Sequence, residues 1–517
     1  MPEQRKSTFW KVILAIFVLF SLLIGIGIYR VLRPSAHVPE KSVLILKLGG
    51  ELVETREEED FPFFSQAAPP GLQELMSALA KARQDERIKL VVLEIGPLMT
   101  NFAKLSELRE SIDKFQTSGK QVWAHVSFPG DPEYYLASTC DRIYLEPYTG
   151  MFIDGLKIEL FYFHEALKKL GVEVEVVRRG KFKSAVEPFI SDKGSAADVA
   201  QRSALLDDAD RHYVQTVAKN RNFTEAEYRR IINEEAFISP QKAVELRLAD
   251  SLTGLPGLKK VIRKAYGIED DNDRFFVGAH TYSRVTPESV GIEDGEKIAL
   301  INVVGGIFEG MDGSAGADVE AIVRSIDEAR KNKDIKAIIL RVDSPGGSAV
   351  GPDKILEALD SAKAEKPVVA SFSGVAASGG YWVAAHASKI VANPLTTTGS
   401  IGVFFLKPYL SDLEDKIGVK REVMMRGKFA DEFSFFDKFS PEAYAKFDRY
   451  IGEFYDTFVK MVAEGRKMSV AEVDSVGQGH VWSGERAKAV GLVDELGGLD
   501  KAVQVAKGLA GIDSAAA

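Results

Sequence analysis

The chain has 517 residues, 45% of them hydrophobic and 27% charged, which is the balance of a globular protein with room for about three domains. A formal net charge of −9 argues against a nucleic-acid partner or an anionic membrane surface, since both need a basic face. Cys140 is the single cysteine, so an intrachain disulfide is excluded; the histidines show no H-E-x-x-H spacing, and no metal or cofactor is expected.

Reading from the N-terminus, the first element is "VILAIFVLFSLLIGIGIY", Val12 to Tyr29, an uncharged run long enough to span a bilayer. Trp10 and Tyr29 sit at its edges, where amphipathic rings prefer the headgroups. The run is longer than a secretory h-region and "RVLRPSAHVP" after it holds no clear cleavage site, so it reads as an uncleaved anchor within residues 1–36 rather than a cleaved signal. Arg5, Lys6 and Lys11 precede it against Arg30 and Arg33 after it. That bias favours a cytoplasmic N-terminus and a soluble part on the extracytoplasmic side.

The remainder repeats itself. "RIKLVVLEI" (87–95) parallels "DIKAIILRV" (334–342), "EYYLASTCDRIYLEP" (133–147) parallels "GYWVAAHASKIVANP" (380–394), and "LGVEVEVVRRGKF" (170–182) parallels "IGVKREVMMRGKF" (417–429). All three share one offset, 247 residues (335 minus 88). Two copies of one module follow, 37–288 and 289–517, joined through the polar stretch "SRVTPESVGIEDGEK". Each alternates β-branched runs with helical patterns: "VEAIVRSIDEARKNK" is a helix, "KAIILRV" and "PVVASFS" are buried strands. This alternation predicts an α/β fold with a parallel sheet and helices on its faces. "FISDKGSAADVAQR" (189–202) reads as a loop.

The copies differ where chemistry is suggested. "VAASGGYW" (375–382) puts Ser378 at a strand-to-helix turn, as a nucleophile or as a helix N-cap. "RVDSPGGSAVG" (341–351) puts Gly346 and Gly347 at another such turn, either an ordinary turn or a source of backbone N–H groups for an oxyanion. The first copy has Asp131 in place of Ser378 and no glycine pair. The histidine nearest in sequence, His386, stands about 12 Å along a helix and reads as a packing residue. A lysine is the recognised alternative base if it is desolvated. Lys183 of "RRGKFKSAVEPF" is matched by Ala430 in the second copy, so one copy has a lysine without the serine and the other a serine without the lysine. Lys183 is thus a solvated surface charge or one half of a split pair.

"GKFKSAVEPF", "RVDSPGGS", "AASGGYW" and "TTTGSIGVF" together resemble the protease IV family, the S49 serine proteases, across nearly the whole chain. The resemblance implies a tandem duplication of a crotonase/ClpP-like βα module behind one N-terminal transmembrane helix. It implies Ser378 as nucleophile, Lys183 as general base and Ser400 as the hydroxyl that orients the lysine. Gly346, Gly347 and Gly379 would supply the oxyanion hole. It further implies substrates that are signal-peptide remnants and other small or unfolded peptides, a homotetramer, and a single-pass location in the inner (plasma) membrane. The rivals are a crotonase-type acyl-CoA enzyme on the same superfold and a non-catalytic membrane scaffold.

Overall fold

The computed structural model describes residues 38–56, 70–269, 273–310, 316–348, 350–410 and 412–513, together with Phe17 and Phe20. The run Val12 to Tyr29 therefore lies outside the described residues except at those two phenylalanines, which are helical and exposed. Among the described residues no helix is long and apolar enough to cross a membrane.

The first repeat contributes β1 (Ser42–Glu51), β2 (Ile88–Met99), β3 (Gln121–Val126), β4 (Arg142–Leu145), β5 (Met151–Phe152), β6 (Glu173–Arg179), β7 (Phe237–Ile238), β8 (Ser251–Leu252) and β9 (Phe276–Gly278). The order β8-β4-β3-β2-β1-β9 makes one sheet, parallel at every pairing. The second repeat contributes β10 (Lys297–Val304), β11 (Ile335–Ser344), β12 (Val368–Ala377), β13 (Lys389–Ala392), β14 (Thr397–Gly399), β15 (Val403–Tyr409), β16 (Val481–Ser483) and β17 (Glu495–Leu496). Here β10-β11-β12-β13-β17 run parallel, β14 lies parallel to the end of β12, and β16 is antiparallel to β14. β2 and β11 start at Ile88 and Ile335, β3 and β12 at Gln121 and Val368, β4 and β13 at Arg142 and Lys389. The spacing of the sequence repeat is thus also the spacing of the strands. The antiparallel pair β5–β7 is the first repeat's version of β14–β16.

Local sequence explains these elements. Ile88, Leu90, Val91, Val92, Leu93 and Ile95 of β2 are all fully buried, as a parallel strand covered on both faces requires. The crossover helix Phe102–Gln116 starts at Asn101, whose side chain accepts from Lys104 N, and Val319–Lys331 starts at Asp318, which accepts from Ala321 N. The stretch 189–202 differs from its reading as a loop. From Ala196 it is the start of helix Ala196–Arg221, because Ser195 accepts from Asp198 N and an acidic residue occupies the first turn.

The repeats share a core. Leu105, Leu108 and Ile112 of helix Phe102–Gln116 cluster with Ile339 and Val369 of the second sheet and with Ala502 and Ala506 of the C-terminal helix Leu499–Ala510. One polar cluster is sealed inside this seam: Arg341 of β11 donates to Glu54 and Glu107 of the first repeat, and all three side chains are without exposure. A second connection decides the site. β6 of the first repeat pairs antiparallel with β15 of the second, from Glu173 opposite Tyr409 to Arg179 opposite Val403.

Candidate active site

β12 delivers Ser378 at its C-terminal end, between β11 on one side and β14 on the other. Ser378 has φ +55°, a left-handed conformation that a non-glycine residue adopts only when its surroundings hold it there. Its N–H donates to Gly399 O at 2.9 Å. Its side chain makes no capping hydrogen bond to the short helix Gly379–Trp382 that follows. The N-cap reading therefore fails, and Oγ is directed elsewhere: it lies 3.1 Å from Lys183 Nζ.

Lys183 reaches this point through β6. The β6–β15 pairing carries the chain from Arg179 into the turn Gly180–Ser184, which the loop 477–480 of the second repeat braces. Phe182 N donates to Gln478 O at 2.9 Å, and the Phe182 ring stacks on His480 at 4.1 Å. Gly479, at φ +74°, presses on the lysine itself: a Cβ there would lie 2.6 Å from Lys183 Cβ. Arg178 Nη1 donates to the Lys183 carbonyl at 3.2 Å. The lysine is 4% exposed.

Three oxygens surround Nζ: Ser378 Oγ at 3.1 Å, Ser400 Oγ at 2.9 Å and Ser400 O at 2.9 Å. None is charged, and among the described residues no carboxylate pairs with Lys183. Burial without a counter-charge pushes the ammonium down to about 7. A neutral amine has two N–H groups and one lone pair. The Ser400 carbonyl can only accept, so the arrangement leaves room for Nζ to take the Ser378 hydroxyl proton. Ser400 is itself strained, at φ +51°, and its N–H is held by His480 O at 2.7 Å. His480 is driven down to about 4 by burial and by Lys181 and Arg486, which keeps it neutral beside the lysine.

The glycine loop abuts the serine. Ile307 N donates to Gly346 O and Ser348 N to Ile307 O, which is a parallel bridge across Gly347. Alternation along an extended chain then turns the Gly347 N–H away from Ile307. Gly347 N lies 3.2 Å from where a Gly379 Cβ would sit, so the glycine loop packs directly on the turn that follows Ser378. Gly346 differs from the expectation of three donors. Its N–H is already taken by Ser344 Oγ at 3.1 Å. Its part is steric: at φ +97° it brings its Cα so close that a Cβ would lie 2.5 Å from Gly379 N and 2.9 Å from Ser378 Cβ.

The matching place in the first repeat is filled. Asp131 stands where Ser378 would, buried and pushed up to about 6 by desolvation. Glu133, also buried, takes the nearby backbone donors, Leu98 N at 2.6 Å and Gly130 N at 3.0 Å. Ala430, in the place of Lys183, is exposed. His386 is engaged structurally, with Asp360 at 2.8 Å and Met461 O at 3.1 Å. Among the described residues one group has metal-like spacing, His164, Glu165 and Asp192; it stands apart from Lys183 in the chain, and His164 is already paired with Asp192 at 3.1 Å.

The chain matches peptidase family S49 twice, over residues 114–269 and 360–513, one stretch in each repeat. It belongs to that family. The matches make the tandem duplication a property of the family module: the first includes Lys183, the second Ser378 and Ser400. "Protease 4" of Salmonella typhi is 32% identical over 525 residues, covering 97% of this chain and 84% of the relative. "Serine protease SPPA, chloroplastic" of Arabidopsis thaliana is 32% identical, covering 93% of this chain and 71% of the relative. "Putative signal peptide peptidase SppA" of Enterococcus faecium is 36% identical over 171 residues, 32% of this chain and 49% of the relative. This S49 chain is a serine protease. The residues that brace its lysine, Gly479 and Gln201 among them, went unnoticed in the sequence. Gly479 lies in the other repeat and Gln201 on the helix that follows the turn, and neither forms a motif with Lys183.

Proposed function

We propose that this S49 protease is a membrane-anchored endopeptidase with a Ser378–Lys183 dyad, the lysine coming from residues 37–288 and the serine from 289–517 of a duplicated crotonase/ClpP-like module. The 3.1 Å approach of Nζ to Oγ, in a buried setting where no described carboxylate pairs with the lysine, carries the reading. Neutral Lys183 takes the Ser378 proton as Oγ attacks the peptide carbonyl, then delivers it to the leaving amine. Gly347 and Gly379 N–H groups hold the developing oxyanion, while Gly346 sets their approach. Water, deprotonated by the same lysine, releases the acyl group. Ser400 orients the amine through its hydroxyl and carbonyl.

The substrates are signal-peptide remnants and other small or unfolded peptides. The name carried by the Enterococcus relative favours this class, and so does an apolar run, Val12 to Tyr29, suited to hold the enzyme in the inner membrane where such remnants remain. The catalytic part then faces the extracytoplasmic side. The protein works as a homo-oligomer, a tetramer by family resemblance. Applying the 247-residue offset to the β6–β15 pair gives segments 156–162 and 420–426. Among the described residues neither has a strand partner, and both expose apolar side chains, among them Ile158, Phe161, Val423 and Met424. Joining 156–162 of one copy to 420–426 of the next repeats the internal seam head to tail, the geometry that closes rings.

The test is hydrolysis of a synthetic apolar signal sequence by the full chain in detergent, followed by mass spectrometry. Internal cleavage by the parent, abolished in folded Ser378→Ala and Lys183→Ala, is expected. Undiminished cleavage by Lys183→Ala would assign the base elsewhere, and an inert parent would favour the scaffold.

A further inference from the structure

Gln201 is 3% exposed and its carboxamide is used at both ends. Nε2 donates to Phe182 O at 3.1 Å and to Ser184 Oγ at 2.9 Å, the residues on either side of Lys183. Oε1 accepts from Val481 N at 3.2 Å, on β16 of the other repeat. Val481 is the register partner of Gly399, whose carbonyl holds the Ser378 N–H, and His480 beside it holds the Ser400 N–H. The partners fix the amide's orientation, because a carbonyl only accepts and a backbone N–H only donates. Asp198, 1% exposed, anchors the near side by accepting from Ser184 Oγ, Gln201 Nε2 and Arg202 Nε.

We propose that Gln201 is a positioning residue for peptide hydrolysis: its carboxamide locks the Lys183 turn of the first repeat to the β14–β16 pair of the second, and so fixes Nζ against Ser378 and Ser400. The inference rests on Lys183 being the base. The backbone bond from Phe182 N to Gln478 O also tethers the turn, but Gln201 grips both flanks of the lysine and the strand that registers both serines. Displacements well under an ångström matter to proton transfer at such distances. A loosened turn also admits water to Nζ, which favours the ammonium and removes base at neutral pH.

The test is the pH dependence of kcat/KM, with kcat and KM separated, for an apolar peptide and the full chain. Gln201→Met keeps the length without the hydrogen bonds. Gln201→Asn keeps a neutral amide but shortens its reach so that it cannot span both repeats, adds no charge beside the lysine, and carries the test if Gln201→Met does not fold. We expect the acid limb of either variant to move up by about one pH unit, kcat at pH 7 to fall about fivefold, most of it to return at pH 9, and KM to change less than about twofold. An unmoved limb, with the same loss at every pH, overturns the proposal and leaves Gln201 a structural residue. Lys183→Ala at the parental rate overturns the base assignment and this inference with it. That result is distinguishable from an unmoved Gln201 profile in an enzyme that needs its lysine.

Discussion

At the residue scale the decisive fact is a lysine buried with no counter-ion among the described residues. In the proposed dyad its neutral form takes the serine proton, so kcat/KM is expected to rise about tenfold per pH unit on the acid side and level off above about 7. A flat profile from pH 5 to 9 contradicts the dyad. The same burial costs stability. Between about 7 and the ordinary lysine value of 10.5 the unfolded chain holds a proton that folded Lys183 does not. Stability from this group therefore rises with pH through that window and is flat below it, where both states are protonated. Lys183→Met is expected to gain on the order of 3 kcal/mol at pH 7 while losing activity, measurable as a raised urea midpoint. Ser378 and Ser400 add strain of their own at positive φ. A site that spends stability on an unpaired lysine and two strained serines is hard to explain as a scaffold.

At the element scale, two turns and one strand pair assemble the site. Gly346→Ala places a Cβ against Gly379 N and Ser378 at φ +97°, so at least a hundredfold loss of kcat is expected, with a loss of about 1–3 kcal/mol in denaturant titration. A fully active Gly346→Ala would mean that the loop is not held against the serine. The elements themselves were legible. Parallel strands buried on both faces write unmixed apolar runs such as "LVVL" and "AIIL", and the repeat fixed their correspondence. The split between Lys183 and Ser378 was also legible, because the copies diverge reciprocally at two positions. What was not legible is long-range pairing. "LGVEVEVVRRGKF" aligns with "IGVKREVMMRGKF", yet its strand partner is Val403–Tyr409, and sequence similarity carries no information about which edge a strand finds. Gln201 was hidden because a capped helix start of small and polar residues resembles a loop. Gly346 was read as a donor because side-chain competition from Ser344 shows only in three dimensions.

At the scale of the whole molecule the two repeats behave as one body around a charged seam. Glu107 is pushed up to about 7, chiefly by burial, and Arg341 supplies the charge that opposes it. Arg341→Met leaves two buried carboxylates without their cation and is expected to cost about 3–5 kcal/mol, with both repeats melting together by calorimetry. A variant as stable as the parent would show that the seam needs no ion pair. If the proposed ring closes through 156–162 and 420–426, Ile158→Pro is expected to lower the oligomer mass seen in light scattering toward that of a monomer. A parental mass would place the interface elsewhere. The central claim, that one active centre is assembled from both repeats, is tested most directly by the rate at which a fluorophosphonate acylates Ser378 as pH is varied, in the parent and in Lys183→Ala. The account predicts a parental rate that climbs through about pH 7 and a pH-independent rate at least a hundredfold lower without the lysine. Equal rates and equal profiles for the two proteins would contradict it.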